Sequence, residues 1–189
     1  MLVVCRAVIR NLSFYAVMII AAVVLQVVFG DDPWTLWVPY ADRVDDPLAL
    51  QIGFGVAVGL AVVLLSRVGS SWFEWSRQLD RWFRDVLGPL DGREIFAMAL
   101  MSALAEEIFF RGFLQPRLEL VPTAILFGLV HFPFEKRLWP WTISATGMGF
   151  VFGGMVETQG TIVAAVLAHF TVNYFNLHVL VRPLAVPTR

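Results

Sequence analysis

Long uncharged runs of apolar residues dominate this chain and decide what it can fold into. The first two, residues 12–29 and 48–65, contain no Asp, Glu, Lys or Arg. A helix that crosses the ~30 Å hydrocarbon core of a bilayer needs about 20 mostly apolar residues. Four further apolar segments follow, at residues 95–113, 118–134, 138–156 and 161–181. We therefore predict an all-α, polytopic membrane helix bundle with about six transmembrane segments.

The composition excludes several other classes of protein. Apolar residues make up 58% of the chain and charged residues 15%, against about 45–50% and 25% in ordinary soluble domains. Such a chain has too little polar surface to be soluble, and too many apolar residues to be disordered. The net charge of −1 and the lack of a basic run argue against a nucleic-acid partner. The single cysteine, Cys5, excludes an internal disulfide and a cysteine-ligated metal site.

Residues 70–90, between the second and third segments, differ from the rest of the chain. Large apolar side chains recur there at helical spacing, and the opposite face is mostly charged: Trp72, Phe73, Trp75, Leu79, Trp82, Phe83, Val86 and Leu87 against Arg77, Asp80, Arg81, Arg84 and Asp85. This pattern predicts an amphipathic helix at the membrane surface, where Trp is enriched. The alternative is a helix packed on a partner domain.

Loop charges predict the orientation of the bundle, because Lys and Arg concentrate on the cytoplasmic side. With the N-terminus inside, that side has most of the basic residues: Arg6, Arg10, Arg67, Arg77, Arg81, Arg84, Arg93, Lys136, Arg137, Arg182 and Arg189. The outer side has only Arg43, Arg111 and Arg117. We therefore expect a single integral domain over residues 1–189 in the inner (plasma) membrane, with both termini cytoplasmic.

Three charged residues, Glu106, Glu107 and Arg111, interrupt the third apolar segment. Each charge at the centre of a spanning helix costs about 2.5–3.5 kcal/mol on insertion scales. Glu107 and Arg111 are four residues apart, so they can pair on one helix face. A buried ion pair that fixes helix packing would explain these two residues. Glu106 points about 100° away, so it needs a second polar partner or a shifted protonation equilibrium.

Two later segments contribute histidine and asparagine. His131 ends the apolar run of the fourth segment, where a single histidine is more often a packing residue than a functional one. His169 and Asn173 lie four residues apart in the sixth segment, on one helix face, and Asn176 is near the same side. Interhelical hydrogen bonds alone, worth about 0.6 kcal/mol each in membranes, are the simpler interpretation. Three segments that carry such groups together predict one buried, water-accessible site.

These side chains suit the hydrolysis of an amide by activated water. A glutamate beside a neutral imidazole can hold and deprotonate water. A second imidazole and a carboxamide can donate hydrogen bonds to a developing oxyanion. Glu and His are also zinc ligands, although the His-Glu-x-x-His motif is absent. The residues by themselves leave metal-dependent and metal-free chemistry open.

The order and spacing of these residues resemble a known family. The three motifs are Glu106-Glu107-Ile-Phe-Phe-Arg111-Gly112 (EExxxRG), Phe127-Gly-Leu-Val-His131 (FxxxH) and His169-Phe-Thr-Val-Asn173 (HxxxN). Together with the glycine-rich stretch 147–160, they resemble the CAAX protease and bacteriocin-processing (ABI) family of intramembrane proteases. The resemblance covers roughly residues 93–181, which form the motif-bearing core.

The resemblance implies a glutamate-type intramembrane peptidase, similar to the Ras-converting CAAX endopeptidase, with no cofactor and no catalytic metal. Glu106, with His131, would activate the attacking water. His169 and Asn173 would form the oxyanion site.

Supporting roles would fall to Glu107 and Arg111. The expected partners are the lipid bilayer and a membrane-anchored protein or peptide substrate, including C-terminally tagged peptides. The oligomeric state is left open.

Two other classes of function compete with this interpretation. A proton-coupled carrier could use Glu106 and the histidines as a relay, but carriers ordinarily show repeats in both halves, and here the polar groups lie in the second half. A non-catalytic membrane scaffold or immunity protein could keep the same motifs for packing. Peptide cleavage that depends on Glu106 would distinguish the enzyme from both.

Overall fold

The computed structural model describes residues 2–132 and 135–181, with side chains from residue 11 onward except at residue 137. Every regular element in that part of the chain is a helix, which confirms the predicted all-α class. The α-helices are α1 (Leu2–Val28), α2 (Leu48–Trp72), α3 (Glu74–Leu87), α4 (Gly92–Glu107), α5 (Gln115–Leu118), α6 (Leu120–Val130), α7 (Trp139–Gln159) and α8 (Val163–Leu180). A π-helix, Ile108–Leu114, joins α4 to α5, and 3₁₀ turns lie at Pro33–Leu36, Ala41–Arg43 and Lys136–Leu138.

The six predicted apolar segments all fall on helices, but they are not equivalent. Three helices in the described residues are long and apolar enough to cross a membrane: α1 from Asn11, α2 and α8. The third predicted segment is divided between α4 and the π-helix, and the fifth falls on α7. The fourth falls on α6, whose 11 residues extend only about 16 Å. α6 alone is therefore too short to span the hydrocarbon core.

Parts of the predicted topology fall outside the described residues. These are the end of the fourth segment at residues 133–134 and several side chains used to infer the orientation, namely Arg6, Arg10, Arg137, Arg182 and Arg189. The side chain of Cys5 also lies outside them. The orientation of the bundle therefore stays a prediction.

Helix α8 is the centre of the bundle, since α2, α4 and α7 all pack against it. Of the 18 most apolar consecutive residues in each helix, 39% are buried inside the protein in α8, against 11% in α1 and 17% in α2. Gly55 of α2 meets the backbone of Ala164, and Gly59 meets Ala168 and Thr171 one turn further along. A Cβ at either glycine would overlap α8, so glycine is required for this close contact. The order of these contacts shows that α2 and α8 run in the same direction.

The turn from α4 into the π-helix shapes the middle of the protein. α4 begins at a capping box, in which Asp91 accepts from the Glu94 amide and the Glu94 side chain accepts from the Asp91 amide. The helix ends at Glu107, and the wider π-helical turn follows at once. Gly112 in that turn contacts the backbone of Leu36 so closely that no Cβ would fit. π-Helical turns inside longer helices are frequent at functional sites.

Helix α3 is the predicted amphipathic helix, though shorter than residues 70–90. Its inward face packs on its own bundle: Leu79 is buried, and Phe83 and Leu87 contact a cluster that contains Ile95 and Leu180. The Arg84 Nε donates to the Leu180 carbonyl at 2.9 Å. Much of the apolar pattern is therefore explained by packing on α4 and α8, with no partner domain required. Placement of the remaining face at the membrane surface stays a prediction.

Candidate active site

Helices α4, α6 and α8 bring the predicted site residues together. Glu106 and Glu107 are the last two residues of α4, and His131 is the residue at which α6 ends. His169 lies in the first half of α8, with Asn173 one turn further along. Each residue thus lies at a helix end or on the face of α8 that meets α4. Their convergence follows from the packing of these helices.

Glu107 is completely buried, and each of its oxygens lies close to a nitrogen, although in the described residues the contact of its Oε2 is an ion pair without a hydrogen bond of normal geometry. Its Oε2 lies 3.1 Å from the Arg111 Nε, as the four-residue spacing predicts. Its Oε1 lies 2.7 Å from the Nδ1 of His169, a contact that the sequence analysis missed. Arg111 also points an Nη2 at the Gly149 carbonyl, 3.4 Å away, and its guanidinium lies 4.2 Å from the ring centre of Phe127. Glu107 therefore joins α8 to the π-helical turn.

Glu106 faces the other way, towards two imidazoles. Its Oε2 lies 3.5 Å from the Nε2 of His131 and 3.9 Å from the Nε2 of His169. Among the described residues, this buried oxygen has no hydrogen bond of normal geometry. The side chain is 11% exposed, whereas that of Glu107 is not exposed at all. The Glu106 carboxylate is thus held near both rings without being fully satisfied by either.

The hydrogen bonds of His131 fix which of its nitrogens faces Glu106. The Nδ1 lies 2.6 Å from the Phe127 carbonyl, which can only accept a hydrogen bond, so the Nδ1 carries a proton. In the neutral ring the Nε2 then has a lone pair, which would face the Glu106 carboxylate unfavourably. A proton taken up by this pair can be shared between Glu106 and His131, directly or through a water molecule. A carboxylate and an imidazole that can share an incoming proton form a general-base pair.

The same reasoning applies to His169. Its Nδ1 donates to Glu107, since that carboxylate is already paired with Arg111. Its Nε2 faces Glu106 and can donate a hydrogen bond only when the ring is protonated. The carboxylates of Glu106 and Glu107 and the guanidinium of Arg111 together leave a net charge of about −1 in the buried site. A buried charge needs a partner of opposite charge. One proton held among Glu106, His131 and His169 makes the cluster neutral.

Asn173 lies on the same boundary between α4 and α8. Its Nδ2 donates to the Oγ of Ser102 at 2.9 Å. Ser102 is one turn before Glu106, and Asn173 is one turn after His169, so the two helices are antiparallel here. Asn173 is therefore about one turn along the seam from the Glu107–His169 contact. Ser102 was not predicted, because no sequence spacing connects it to Asn173.

The structure corrects the expectation that Asn176 lies near the side of α8 that carries His169 and Asn173. Its Oδ1 accepts from the Oγ of Ser66 at 3.1 Å and from the side chain of Arg67. Both partners belong to α2. A rotation of about 60° separates Asn176 from Asn173 around α8. That rotation is enough to direct Asn176 to a different neighbouring helix.

Aromatic rings enclose the histidines. Phe152 stacks on His169, with ring centres 5.1 Å apart, and Trp141 meets His131 edge-on at 5.9 Å. Trp141 in turn contacts Phe83 of α3 at 5.3 Å. Hydrophobic periodicity predicts that such residues are buried, but it does not identify which histidine each ring contacts. These rings lower the local polarity, which strengthens electrostatic interactions in the site.

The donor set includes residue types that bind metals. Within the described ranges, no group of three or more His, Cys, Asp and Glu side chains is arranged so that it could hold a metal ion.

Comparisons with known proteins identify the region that contains the site. Residues 93–175 match the family model described as "Type II CAAX prenyl endopeptidase Rce1-like". These residues, somewhat less than half of the chain, are similar to that family. All six site residues lie inside the matched region, so the resemblance drawn from the three motifs is confirmed. The Rce1-like match and the apolar helices together support a membrane location.

Part of the chain is also similar to a curated protein. The Uncharacterized protein YpbD of Bacillus subtilis (strain 168) is 28% identical over 123 residues, which are 65% of this chain and 65% of the relative. The match thus spans just under two thirds of the relative's length. No solved structure gives a significant match.

Proposed function

We propose that the protein is a glutamate-type intramembrane endopeptidase that acts without a metal. It hydrolyses peptide bonds of membrane-associated or C-terminally tagged substrates with activated water. One observation supports this more than any other: the buried Glu106 Oε2 lies within 4 Å of the Nε2 atoms of both His131 and His169. A carboxylate that is near two imidazoles, yet not saturated by them, can hold a water molecule and accept its proton.

The first half of the proposed reaction is the attack of water. Glu106 and His131 orient the water, and the shared base takes one of its protons as the oxygen bonds to the scissile carbonyl carbon. The carbonyl π electrons move to the oxygen, which becomes an oxyanion. His169, protonated at Nε2, and the Nδ2 of Asn173 donate hydrogen bonds to that oxygen. Glu107 accepts from the Nδ1 of His169 and so stabilises its positive charge.

The second half is the loss of the amine. The oxyanion electrons return to carbon, the C–N bond breaks, and the leaving nitrogen takes the proton stored on Glu106 and His131. The products are a carboxylic acid and an amine, and the base is regenerated. Arg111 takes no part in proton transfer. It holds Glu107, and through Glu107 it holds the ring of His169.

The experiment that tests this function is peptide cleavage by the purified full-length protein in lipid nanodiscs. A panel of lipidated and C-terminally tagged peptides is incubated with the wild type and with Glu106→Gln, and products are identified by mass spectrometry. Glu94→Gln serves as a matched control, because Glu94 is on the same helix but at its far end. We expect cleavage by the wild type and by Glu94→Gln, and none by Glu106→Gln. Cleavage by Glu106→Gln at the wild-type rate would reject the proposal.

The same preparation distinguishes the competing classes. Uptake driven by a proton gradient in liposomes would indicate a carrier. A biological effect that survives Glu106→Gln would indicate a scaffold or immunity protein.

We also propose that the protein lies in the inner (plasma) membrane as one domain with both termini cytoplasmic. Labelling of single cysteines introduced into the loop at 41–43 and into α3, in whole cells, tests that orientation.

A further inference from the structure

Ser102 lies beside the site, and its buried hydroxyl makes hydrogen bonds to two residues. It is 5% exposed. Its Oγ donates to the Ala99 carbonyl at 3.2 Å and accepts from the Nδ2 of Asn173 at 2.9 Å. Ser102 thus connects α4 with α8 at the edge of the site.

The hydroxyl of Ser102 determines which way the Asn173 amide points. A serine hydroxyl has one hydrogen, and here the Ala99 carbonyl takes it. The oxygen can then only accept a further hydrogen bond, so the NH₂ end of the Asn173 amide, not its carbonyl end, faces α4. The amide has two N–H bonds, and Ser102 uses one of them. The second remains available in the same plane.

We propose that Ser102 is a positioning residue, which presents the second N–H of Asn173 to the oxyanion. This inference rests on the proposed function. Without the hydroxyl, the amide can rotate by 180° about its terminal bond, and the carbonyl end would then face the developing negative charge.

The chain contains its own matched control. Ser66 and Asn176 form a second serine–asparagine contact between α8 and a neighbouring helix. There the single hydrogen of the Ser66 hydroxyl lies near two acceptors, the Val63 carbonyl at 2.8 Å and the Asn176 Oδ1 at 3.1 Å, and Arg67 also donates to that Oδ1. The oxygen end of the Asn176 amide therefore faces its serine, opposite to the orientation of Asn173, and the pair lies outside the site. Replacement of either serine by alanine removes one interhelical hydrogen bond. A merely structural role predicts similar effects for both replacements.

The test combines kinetics with a spectroscopic measurement on the full-length protein in nanodiscs. Initial rates on a cleaved peptide are measured for the wild type, Ser102→Ala, Asn173→Ala, the double variant and Ser66→Ala. Loss of one oxyanion donor costs about 10²–10³ in kcat, so we expect roughly a tenfold loss from misorientation in Ser102→Ala, with KM unchanged. The same change in the Asn173→Ala background should have no further effect. Ser66→Ala should leave kcat unchanged.

The second measurement does not depend on activity. The chain has three asparagines, Asn11, Asn173 and Asn176, so ¹⁵N-asparagine labelling gives three side-chain amide signals. Ser102→Ala should shift the Asn173 signals alone, and Ser66→Ala the Asn176 signals alone. Unchanged Asn173 signals, or an equal loss of kcat in the Asn173→Ala background, would overturn the proposal. Wild-type cleavage by Glu106→Gln would instead reject the proposed function, and the amide signals would still decide whether Ser102 orients Asn173.

Discussion

Glu106 and Glu107 are neighbours in sequence and both are buried, yet they have different surroundings. Glu107 is completely enclosed, and each of its oxygens meets a nitrogen, one from Arg111 and one from His169. Glu106 keeps a small exposed fraction, and its Oε2 faces two imidazoles at 3.5 and 3.9 Å in place of a guanidinium. In the described residues neither this oxygen nor the Glu107 Oε2 has a hydrogen bond of normal geometry, so the two carboxylates differ in exposure and in the charge of their neighbours. Glu107 has the surroundings of a structural carboxylate, and Glu106 those of a reactive one.

The difference comes from the helix itself. A step of one residue turns a side chain by about 100°, so adjacent carboxylates at the end of α4 address different neighbours. Glu107 faces the π-helical turn, where Arg111 returns to it, and Glu106 faces the end of α6. His169 contacts both, through opposite nitrogens. We call Glu107 with Arg111 the structural half of the site, and Glu106 with His131 the reactive half. The ring of His169 connects the two halves.

The largest expected effect is on the reactive half. Glu106→Gln should lower kcat by about 10²–10⁴-fold, the usual contribution of a general base. The thermal midpoint in nanodiscs should stay within a few degrees of the wild type or rise, because a neutral amide replaces an incompletely paired buried carboxylate. Rates and thermal unfolding are measured on the same preparation. A stable, fully active variant would show that Glu106 and Glu107 do not differ as described.

Substitutions in the structural half should mainly lower the unfolding free energy. Glu107→Gln leaves Arg111 buried without a counter-charge, which costs about 3–5 kcal/mol in unfolding free energy. The double variant Glu107→Gln with Arg111→Met removes both charges and should recover much of that loss. It should not recover activity, because the His169 Nδ1 no longer has a carboxylate acceptor. Denaturant unfolding and cleavage rates check both parts, and recovered activity in the double variant would contradict the role given to Glu107.

The ring that stacks on His169 allows a finer comparison. Phe152→Leu keeps the site apolar but removes the stacked face, worth about 0.5–1.5 kcal/mol. We expect a loss of activity of a few-fold and a small drop in thermal midpoint. Phe150→Leu is the control, since Phe150 is on the same helix but 39% exposed. Equal effects of the two replacements would mean that the stacking does not hold His169.

Much of this arrangement could be predicted from the sequence, and the limits have physical causes. The pairing of Glu107 with Arg111 follows from helical spacing alone, since both lie on one short segment. The Glu107–His169 contact joins residues 62 positions apart, and periodicity defines faces but not which faces meet. For the same reason Asn176 was expected near the side of α8 that carries His169 and Asn173. The change from α-helix to π-helix could not be predicted from the sequence either. Residues 95–113 contain no Pro and only one glycine, near the end, that could mark it.

The smallest effect concerns a carboxylate at the surface, which sharpens the contrast with Glu107. Glu74 of α3 lies 2.7 Å from both Arg77 and Arg81, but its side chain is 55% exposed. Hydrogen bonds from Arg81 and Arg77 hold the pKa of Glu74 below its usual value. The folded pKa is therefore lower than the unfolded one. The stabilisation is present above the unfolded pKa and disappears as the pH falls through the folded pKa.

Thermal unfolding of the wild type and Glu74→Gln, measured from neutral pH down through the carboxylate range, tests this. The wild type should be slightly more stable at neutral pH, and the difference should vanish in acid. Solvent and salt screen an exposed pair, so added salt should shrink the difference at neutral pH but leave the effect of Glu107→Gln almost unchanged. If salt reduced both effects equally, the Glu107–Arg111 pair would have to be accessible to ions. The contrast between the buried Glu107 and the exposed Glu74 would then fail.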